Sequence, residues 1–162
     1  MKKRIENIDE ILYTEDDLNG YPIYYLDLEL TNLFTGIIYS KFKGKIENEA
    51  EYIEGLKNGL EYIYNEDEEV IQINEYRGNV IFGVVKEYEK ESLKSVSVVY
   101  NNSFLKILNV NLDDFNVLRH YDNQYGNELP HYLKSLLQLS NKQLIEYEFK
   151  KDNPYLRPPY NI

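Results

Sequence analysis

GIIYSKFKGKIENEAEYIEGLKN, residues 36–58, is followed directly by GLEYIYNEDEEVIQINEYRGNVIF, residues 59–82, and by GVVKEYEKESLKSVSVVYNNSFLK, residues 83–106. Each stretch has a glycine, a short apolar run rich in aromatic residues, a charged turn and a second run that contains a tyrosine. A period of about two dozen residues is typical of stacked supersecondary units, and two short runs joined by a turn favour a β-hairpin as the unit. The sequence therefore predicts a mainly β fold, an antiparallel meander of repeated hairpins.

Turn signals support this interpretation. The tripeptide at residues 43–45 has glycine in its middle, which predicts a tight turn inside the first copy. The second copy has instead a longer, acidic tip at residues 65–69. Upstream, an Asn-Gly pair separates two short runs in residues 10–26, and both residue types tolerate positive φ. We expect an irregular first hairpin that caps the array; a helix over the first dozen residues is the alternative.

The pattern weakens towards the C-terminus. The third copy lacks a closing glycine, and the runs on either side of Asp113 predict a degenerate fourth copy. Pro130 then begins a short amphipathic stretch typical of a helix. A capping-box pattern from Ser140 to Gln143 predicts a second helix that continues through residue 150.

The last residues contain Pro154, Pro158 and Pro159, so an extended tail is expected. We divide the chain into two parts. Residues 1–125 form the hairpin array with its irregular N-terminal cap, and residues 126–162 form a helical segment with a proline-rich tail packed on the array.

Alternation along the first strand of each copy places one set of apolar and aromatic side chains on one face of the sheet. These residues are Ile37, Tyr39, Leu60, Tyr62, Tyr64, Val84 and Tyr88. We expect this tyrosine ladder to be the core side. The second copy also has apolar residues on its other face, and we expect the helical segment to cover that second face.

Composition excludes several classes of function. The formal net charge of -10 repels phosphate backbones and anionic lipids, so neither nucleic acid nor a membrane surface is an expected partner. The chain has no cysteine, which excludes disulfides, thiolate metal sites and thiol nucleophiles. Acidic residues interrupt any signal-peptide core near the N-terminus, and no apolar run is long enough to span a bilayer. We expect a cytoplasmic protein.

The sequence has no recognisable catalytic constellation. His120 and His131 are too few and too far apart to indicate a metal pair. A carboxylate group of Glu61, Asp67 or Glu75 with Lys86 has no spacing that recommends a metal-dependent nuclease. Phosphate-binding loops, nucleophile elbows and zinc-protease motifs are also missing from the sequence. We therefore expect no enzyme activity, no cofactor and no metal.

The stretch YIEGLKNGLEYIY, residues 52–64, resembles the MORN-repeat variant of bacterial antitoxins and toxin-immunity proteins. The matching residues are Tyr52, Gly55, Asn58, Gly59, Tyr62, Tyr64, Tyr76, Gly78, Gly83, Tyr88 and the Phe-Thr-Gly of residues 34–36. The resemblance covers roughly residues 30–100. It implies an elongated antiparallel meander that binds another protein rather than catalysing a reaction. Lys86 departs from the pattern, because an aromatic residue is expected soon after Gly83.

If the protein is such an immunity protein, the partner is expected to be a basic toxin such as a nuclease, whose cationic active site is occluded by an acidic surface. The candidate partner-binding residues are Glu47, Glu49, Glu51, Glu61, Glu66, Asp67, Glu68, Glu69 and Glu75. Two alternatives stay open at this point. The protein is a carbohydrate or cell-wall binding module that uses Tyr62 and Tyr64, or it is a structural scaffold.

Overall fold

The structure of the protein is a computed structural model that describes residues 2–7, 12–111, 114–120, 129–151 and 153–156. The strands are β1 (Arg4–Glu6), β2 (Tyr13–Asp16), β3 (Pro22–Tyr25), β4 (Gly36–Phe42), β5 (Lys45–Ile53), β6 (Leu56–Tyr64), β7 (Val70–Arg77), β8 (Val80–Glu89), β9 (Ser92–Tyr100), β10 (Ser103–Asn111) and β11 (Asp114–His120). The helices are α1 (His131–Leu137) and α2 (Asn141–Ile145), followed by a 3-10 helix at Pro154–Leu156.

Nine strands form one sheet in the order β1-β4-β5-β6-β7-β8-β9-β10-β11. From β4 onward each strand pairs antiparallel with its neighbours in sequence, whereas β1 pairs in parallel with β4. A separate hairpin of β2 and β3 precedes the array. The predicted meander of repeated hairpins and its first hairpin are confirmed. The alternative of an N-terminal helix is wrong, since residues 4–6 form a strand.

Tight turns connect most of the hairpins. Five turns consist of two residues that both have positive φ, the geometry that matches the twist of paired strands. They are Lys43-Gly44, Glu54-Gly55, Gly78-Asn79, Lys90-Glu91 and Asn101-Asn102. The third copy therefore turns without a glycine.

Cross-strand pairing defines the two faces of the sheet, because directly opposite residues point the same way. The first face carries the row Tyr39, Glu49, Tyr62, Ile73, Lys86, Val96 and Leu108, and we call it the ladder face. The second carries Ile38, Ala50, Glu61, Asn74, Val85, Ser97 and Ile107, and we call it the back face. Both rows cross the sheet from β4 to β10.

One core lies on the ladder face near β8–β10. There the C-terminal segment, defined as residues 129–151 and 153–156, packs its helices on the sheet. The buried residues of this core are Phe82, Val84, Val96, Val98, Leu105, Leu108, Tyr132, Leu133, Leu136, Leu144 and Leu156. The helices thus cover the ladder face, so the prediction that they cover the opposite face is wrong.

A second core lies on the back face near β4 and β5. It consists of Ile5, Leu12, Phe34, Ile38, Ala50 and Tyr52. Leu12, just before β2, and Phe34, in the loop before β4, therefore cover the other side of the sheet at its other end. The ladder face is core around Val84 but not around Tyr39 and Tyr62, which are only partly buried. Alternation predicted the shared face correctly, but it does not specify which part of that face is covered.

Local contacts explain where the helices begin and end. The capping box is confirmed, since the Gln143 amide donates to Ser140 Oγ at 3.2 Å and the Ser140 amide donates to Gln143 Oε1 at 2.9 Å. Helix α2 ends at Ile145, so the predicted continuation through residue 150 is wrong. Lys86 Nζ donates to the carbonyls of Ile145 and Tyr147, at 2.8 and 2.6 Å, and so ties the end of α2 and the residues after it to the sheet.

The beginning of the tail also differs from the prediction. Pro154–Leu156 form a 3-10 helix rather than an extended strand, and the Leu156 amide donates to the Asn153 carbonyl at 3.0 Å. A proline is compatible with this first turn because its missing N–H has no partner there. The predicted boundary at 125/126 and the tail beyond residue 156 lie outside the described residues. In the described ranges, no helix has the length and apolarity needed to cross a membrane.

Candidate interaction surface

Half of the ladder face has no cover from the C-terminal segment. This half, on β4–β6, is the floor of an open groove of about 520 Å³. The groove is lined by Lys2, Arg4, Ile37, Glu49, Glu51, Leu60, Tyr62 and Lys151. Ile37, Leu60 and Tyr62 supply an apolar floor, and the charged residues supply its polar contacts. The groove is thus a mixed surface rather than a purely acidic one.

Glu49 is held by a cation and a tyrosine. Arg4 donates to Glu49 Oε2 through Nε at 3.2 Å and through one terminal nitrogen at 2.7 Å. The Tyr64 hydroxyl donates to Glu49 Oε1 at 2.9 Å. The Arg4 guanidinium also lies over the Tyr39 ring, 4.2 Å from its centroid. Burial and the hydrogen bond to Glu49 raise the pKa of Tyr64, so its hydroxyl stays a donor at neutral pH.

Glu51 lies at a register shift between β5 and β6. Its Oε2 accepts from the Leu60 amide at 3.0 Å, and its Oε1 accepts from Lys2 Nζ at 2.7 Å. The carboxylate rests against Gly59, where any side chain would collide with it. Because Glu51 is 21% exposed and Lys2 is 45% exposed, this ion pair borders solvent.

The local charge differs from the sequence prediction. Glu49 and Glu51 face Lys2, Arg4 and Lys151, so three cations line the groove with two carboxylates. Glu47 lies outside the groove lining, at a bulge where it accepts from Ser40 Oγ at 3.1 Å. The predicted acidic row of three glutamates is therefore wrong as a continuous anionic surface.

Two of the predicted partner-binding residues are inside the protein. Glu61 is buried on the back face, where Lys57 Nζ donates to it at 2.7 Å and Asn74 Nδ2 donates at 2.8 Å. Glu75 is fully buried. Neither side chain can contact a partner in this fold, so the prediction for Glu61 and Glu75 is wrong. Both carboxylates instead accept hydrogen bonds from other residues of the protein.

Glu75 joins the sheet to the C-terminal segment. Its carboxylate accepts from the Val84 amide at 2.6 Å and from the Tyr132 hydroxyl at 2.7 Å. The Tyr147 hydroxyl donates at 2.9 Å and Asn153 Nδ2 at 3.3 Å. Burial raises the pKa of Glu75, although these four hydrogen bonds oppose the rise. The carboxylate is thus satisfied by neutral donors alone.

Two lysines of the ladder face hold the same segment. Lys86 Nζ donates to the carbonyls that follow α2, and Lys106 Nζ donates to the Leu139 carbonyl at 3.4 Å, just after α1. A cation at a helix C-terminus is favourable because the last carbonyls carry partial negative charge. Burial lowers the pKa of both lysines. Lys86 is thus an anchor at the position where the MORN-like pattern has an aromatic residue.

The acidic tip between β6 and β7 is the exposed part of the predicted set. Asn65 Oδ1 accepts from the amides of Asp67 and Glu69, each at 2.9 Å, and so fixes the turn. Glu66, Asp67 and Glu68 are exposed, whereas Glu69 is half-buried and accepts from Asn65 Nδ2. Glu66 is ion-paired with Lys43 at 3.6 Å, and Asp67 and Glu68 are the tip carboxylates that are available to a basic partner.

No family model and no curated protein matches the chain. The resemblance to MORN-like antitoxins stays a prediction that depends on its motif residues. Among the described residues, no three potential ligands of the histidine, cysteine or carboxylate type lie close enough to hold a metal ion.

Sequence reasoning missed the residues that complete the Glu75 cluster, namely Tyr132, Tyr147 and Asn153. One signal for this cluster was available. Glu51 and Glu75 each stand directly before a repeat tyrosine and eight residues before a repeat glycine. Two equivalent carboxylates predict two equivalent environments, but nothing in the repeat indicates which segment covers either one.

Proposed function

We propose that the protein binds another protein through the β4–β6 half of the ladder face, which the described residues leave open as a groove, and that it thereby neutralises a bacterial toxin. The observation that carries the proposal is the groove on β4–β6, where an apolar floor is flanked by ion pairs. A fully desolvated apolar centre with a polar rim is the usual anatomy of a protein interface. Such a protein acts by occlusion and needs no chemistry of its own.

The kind of partner follows from the resemblance and from charge. The resemblance to MORN-like immunity proteins implies that the partner is a toxin. A chain with a net charge of -10 attracts a basic protein, so we expect the toxin to be basic. The exposed carboxylates Glu66, Asp67 and Glu68 supply this attraction, while the groove supplies close contact. The proposal therefore separates a steering surface from a docking surface.

The direct test uses the protein encoded next to this chain's gene, co-expressed and then mixed in purified form. We expect a complex and relief of growth inhibition. Lys151→Glu, which replaces an exposed cation at the groove rim, is expected to weaken the complex at least tenfold, as is Tyr62→Arg on the floor. Leu28→Arg is the matched control, because Leu28 is an exposed loop residue outside the groove.

The outcomes separate the parts of the proposal. No binding to any neighbouring product counts against a toxin partner. A complex that tolerates both groove variants places the interface elsewhere. Far-UV circular dichroism of each variant shows that a loss of binding is not a loss of fold.

The acidic tip has its own test in the same complex. Glu66→Lys combined with Asp67→Lys and Glu68→Lys is expected to slow association about tenfold at low salt and to leave dissociation nearly unchanged. An equal effect at high salt would contradict a steering role, because screening should already have removed it.

The carbohydrate alternative is favoured by one observation, the half-buried Tyr62 beside Glu49 and Glu51. Aromatic rings next to carboxylates suit a sugar as well as a peptide. Retention on a polysaccharide column that is lost in Tyr62→Ala would support this alternative. Retention that is equal for Tyr62→Ala and the native chain would exclude this groove as a sugar site.

A further inference from the structure

The repeat places the same carboxylate on the ladder face twice. Glu51 rests against Gly59 and accepts from the amide of Leu60 at 3.0 Å. Glu75 rests against Gly83, and the next amide donates to it at 2.6 Å. Each glutamate lies at the register shift between its strand and the next one. The two positions are therefore structurally equivalent, one repeat apart.

The Glu75 position shows what complements this carboxylate. The C-terminal segment supplies the hydroxyls of Tyr132 and Tyr147 and the side-chain amide of Asn153. None of these donors is charged. Around them, leucines of α1 and α2 pack on the buried Val84. The complement is thus a short helical segment that combines tyrosine donors with an apolar stripe.

The Glu51 position has the same base but a different cover. Its second oxygen accepts from the half-exposed Lys2, and the open groove lies above Leu60, which is the repeat equivalent of Val84. The groove is also continuous with the intramolecular interface, because Lys151 of the C-terminal segment forms part of its lining. A second segment placed here would extend the existing cover along the ladder face.

Charge specifies the occupant further. Lys2, Arg4 and Lys151 outnumber Glu49 and Glu51 in the groove. A lysine-rich or arginine-rich segment would meet three cations there, whereas a neutral or acidic segment would not. The groove therefore disfavours a basic segment of a partner, whereas the acidic tip attracts basic residues.

We propose that the groove binds a short, neutral or acidic helical segment of the partner protein, and that a tyrosine of this segment donates its hydroxyl to Glu51 as Tyr132 donates to Glu75. The proposal rests on the proposed function, because it specifies the partner's chemistry at the same surface. In the complex, Lys2 yields its place on the carboxylate and the partner's apolar stripe covers Ile37 and Tyr62, which are only partly buried in the free protein.

A peptide with the sequence of residues 129–149 is a suitable probe, because it includes Tyr132 and Tyr147 and its two lysines are balanced by two glutamates. It is added to the full-length, ¹⁵N-labelled protein up to about 1 mM, where a weak site is already half occupied. The Leu60 amide reports on the groove, and the Val84 amide reports on exchange with the protein's own segment. We expect a saturable shift of the Leu60 signal.

Matched variants identify the hydrogen bond. A peptide with Tyr132→Phe and Tyr147→Phe, and separately the protein variant Glu51→Gln, are each expected to weaken binding about tenfold, as for the loss of a hydrogen bond to a charged group. Lys2→Ala is expected to strengthen it severalfold. A peptide that shifts Val84 alone or neither amide, or that is insensitive to Glu51→Gln, would overturn the proposal.

The same variant distinguishes this inference from the proposed function. If the toxin complex forms and Glu51→Gln binds as tightly as the native chain, the tyrosine contact is refuted and the proposed function stands. If no toxin complex forms, the proposed function fails, and the peptide experiment still decides whether the groove accepts such a segment.

Discussion

Replacing Glu75 by glutamine tests whether the buried carboxylate joins the sheet to the C-terminal segment. All four partners of Glu75 are donors: the Val84 amide, the Tyr132 and Tyr147 hydroxyls and the Asn153 side-chain amide. Glutamine keeps the shape of the side chain but replaces one acceptor oxygen by an NH₂ group. That group meets a donor in either orientation.

The expected change in the free energy of unfolding follows from this geometry. At least one hydrogen bond is lost and one buried donor is left unpaired, which costs about 1–3 kcal/mol, and the remaining bonds lose their charge assistance. Part of this loss is offset because the neutral amide avoids the desolvation cost that raises the pKa of Glu75. We expect Glu75→Gln to lower the free energy of unfolding by about 2 kcal/mol, a large share of the ~5–15 kcal/mol of a typical domain.

Glu51→Gln is the matched control, since it is the same substitution at the equivalent repeat position. Glu51 has the amide of Leu60 and the ammonium of Lys2 as partners, and it borders solvent, so water can replace what is lost. We expect a change below about 1 kcal/mol. Urea unfolding followed by far-UV circular dichroism measures both variants. Equal effects for the two substitutions, or an unchanged midpoint for Glu75→Gln, would refute the reasoning.

Three further predictions follow from the same contacts. Burial raises the pKa of Glu75 above its ordinary 4.5, so between 4.5 and the folded pKa the folded protein keeps a proton that the unfolded chain has released. The free energy of unfolding should therefore fall as the pH rises from 4.5 through the folded pKa. Urea midpoints of Glu75→Gln, which cannot bind this proton, should lack the fall. Gly83→Ala should cost more than Gly59→Ala, by roughly 1–2 kcal/mol in thermal unfolding, because the new methyl collides with a carboxylate that is locked at Gly83 and able to turn outward at Gly59. Glu91→Gly should stabilise by about 1 kcal/mol, since Glu91 has φ of 62° in a tight turn; an unchanged melting temperature would contradict that strain.

The repeat and most turns could be predicted from sequence because they depend on local geometry. Glycine or asparagine stands where the chain needs positive φ, as at Gly44 and Gly78. The turn at Lys90-Glu91 gave no such signal. The paired strands on either side impose positive φ on two residues that disfavour it, so tertiary pairing overrides local preference there.

The candidate site could be predicted only in part, because equivalent sequences have different environments. Glu51 and Glu75 precede a tyrosine in the same way and face a glycine at the same spacing. What separates them is the C-terminal segment, whose donors to Glu75 lie 57, 72 and 78 residues away in the chain. A periodic sequence pattern predicts the position of a carboxylate on the sheet, but it does not predict which residues from outside the repeat will pack on that carboxylate.

The net negative charge of the chain does not by itself show where a basic partner would bind, because many of the carboxylates are buried or paired. Glu61 and Glu75 are used inside the protein, and Glu49 and Glu51 are paired with N-terminal cations, so these four carboxylates contribute little free negative charge. At the exposed tip Asp67 and Glu68 keep their charge, whereas Glu66 lies 3.6 Å from Lys43 Nζ. Long-range attraction and close contact therefore depend on different elements, and charge at the tip acts mainly on the rate of encounter. The lifetime of a complex should instead depend on the groove, where the burial of Ile37 and Tyr62 and the hydrogen bond to Glu51 are lost on dissociation. Under the proposed function, a basic partner is therefore expected to reach this protein by its cations and to be retained by a segment that is not basic.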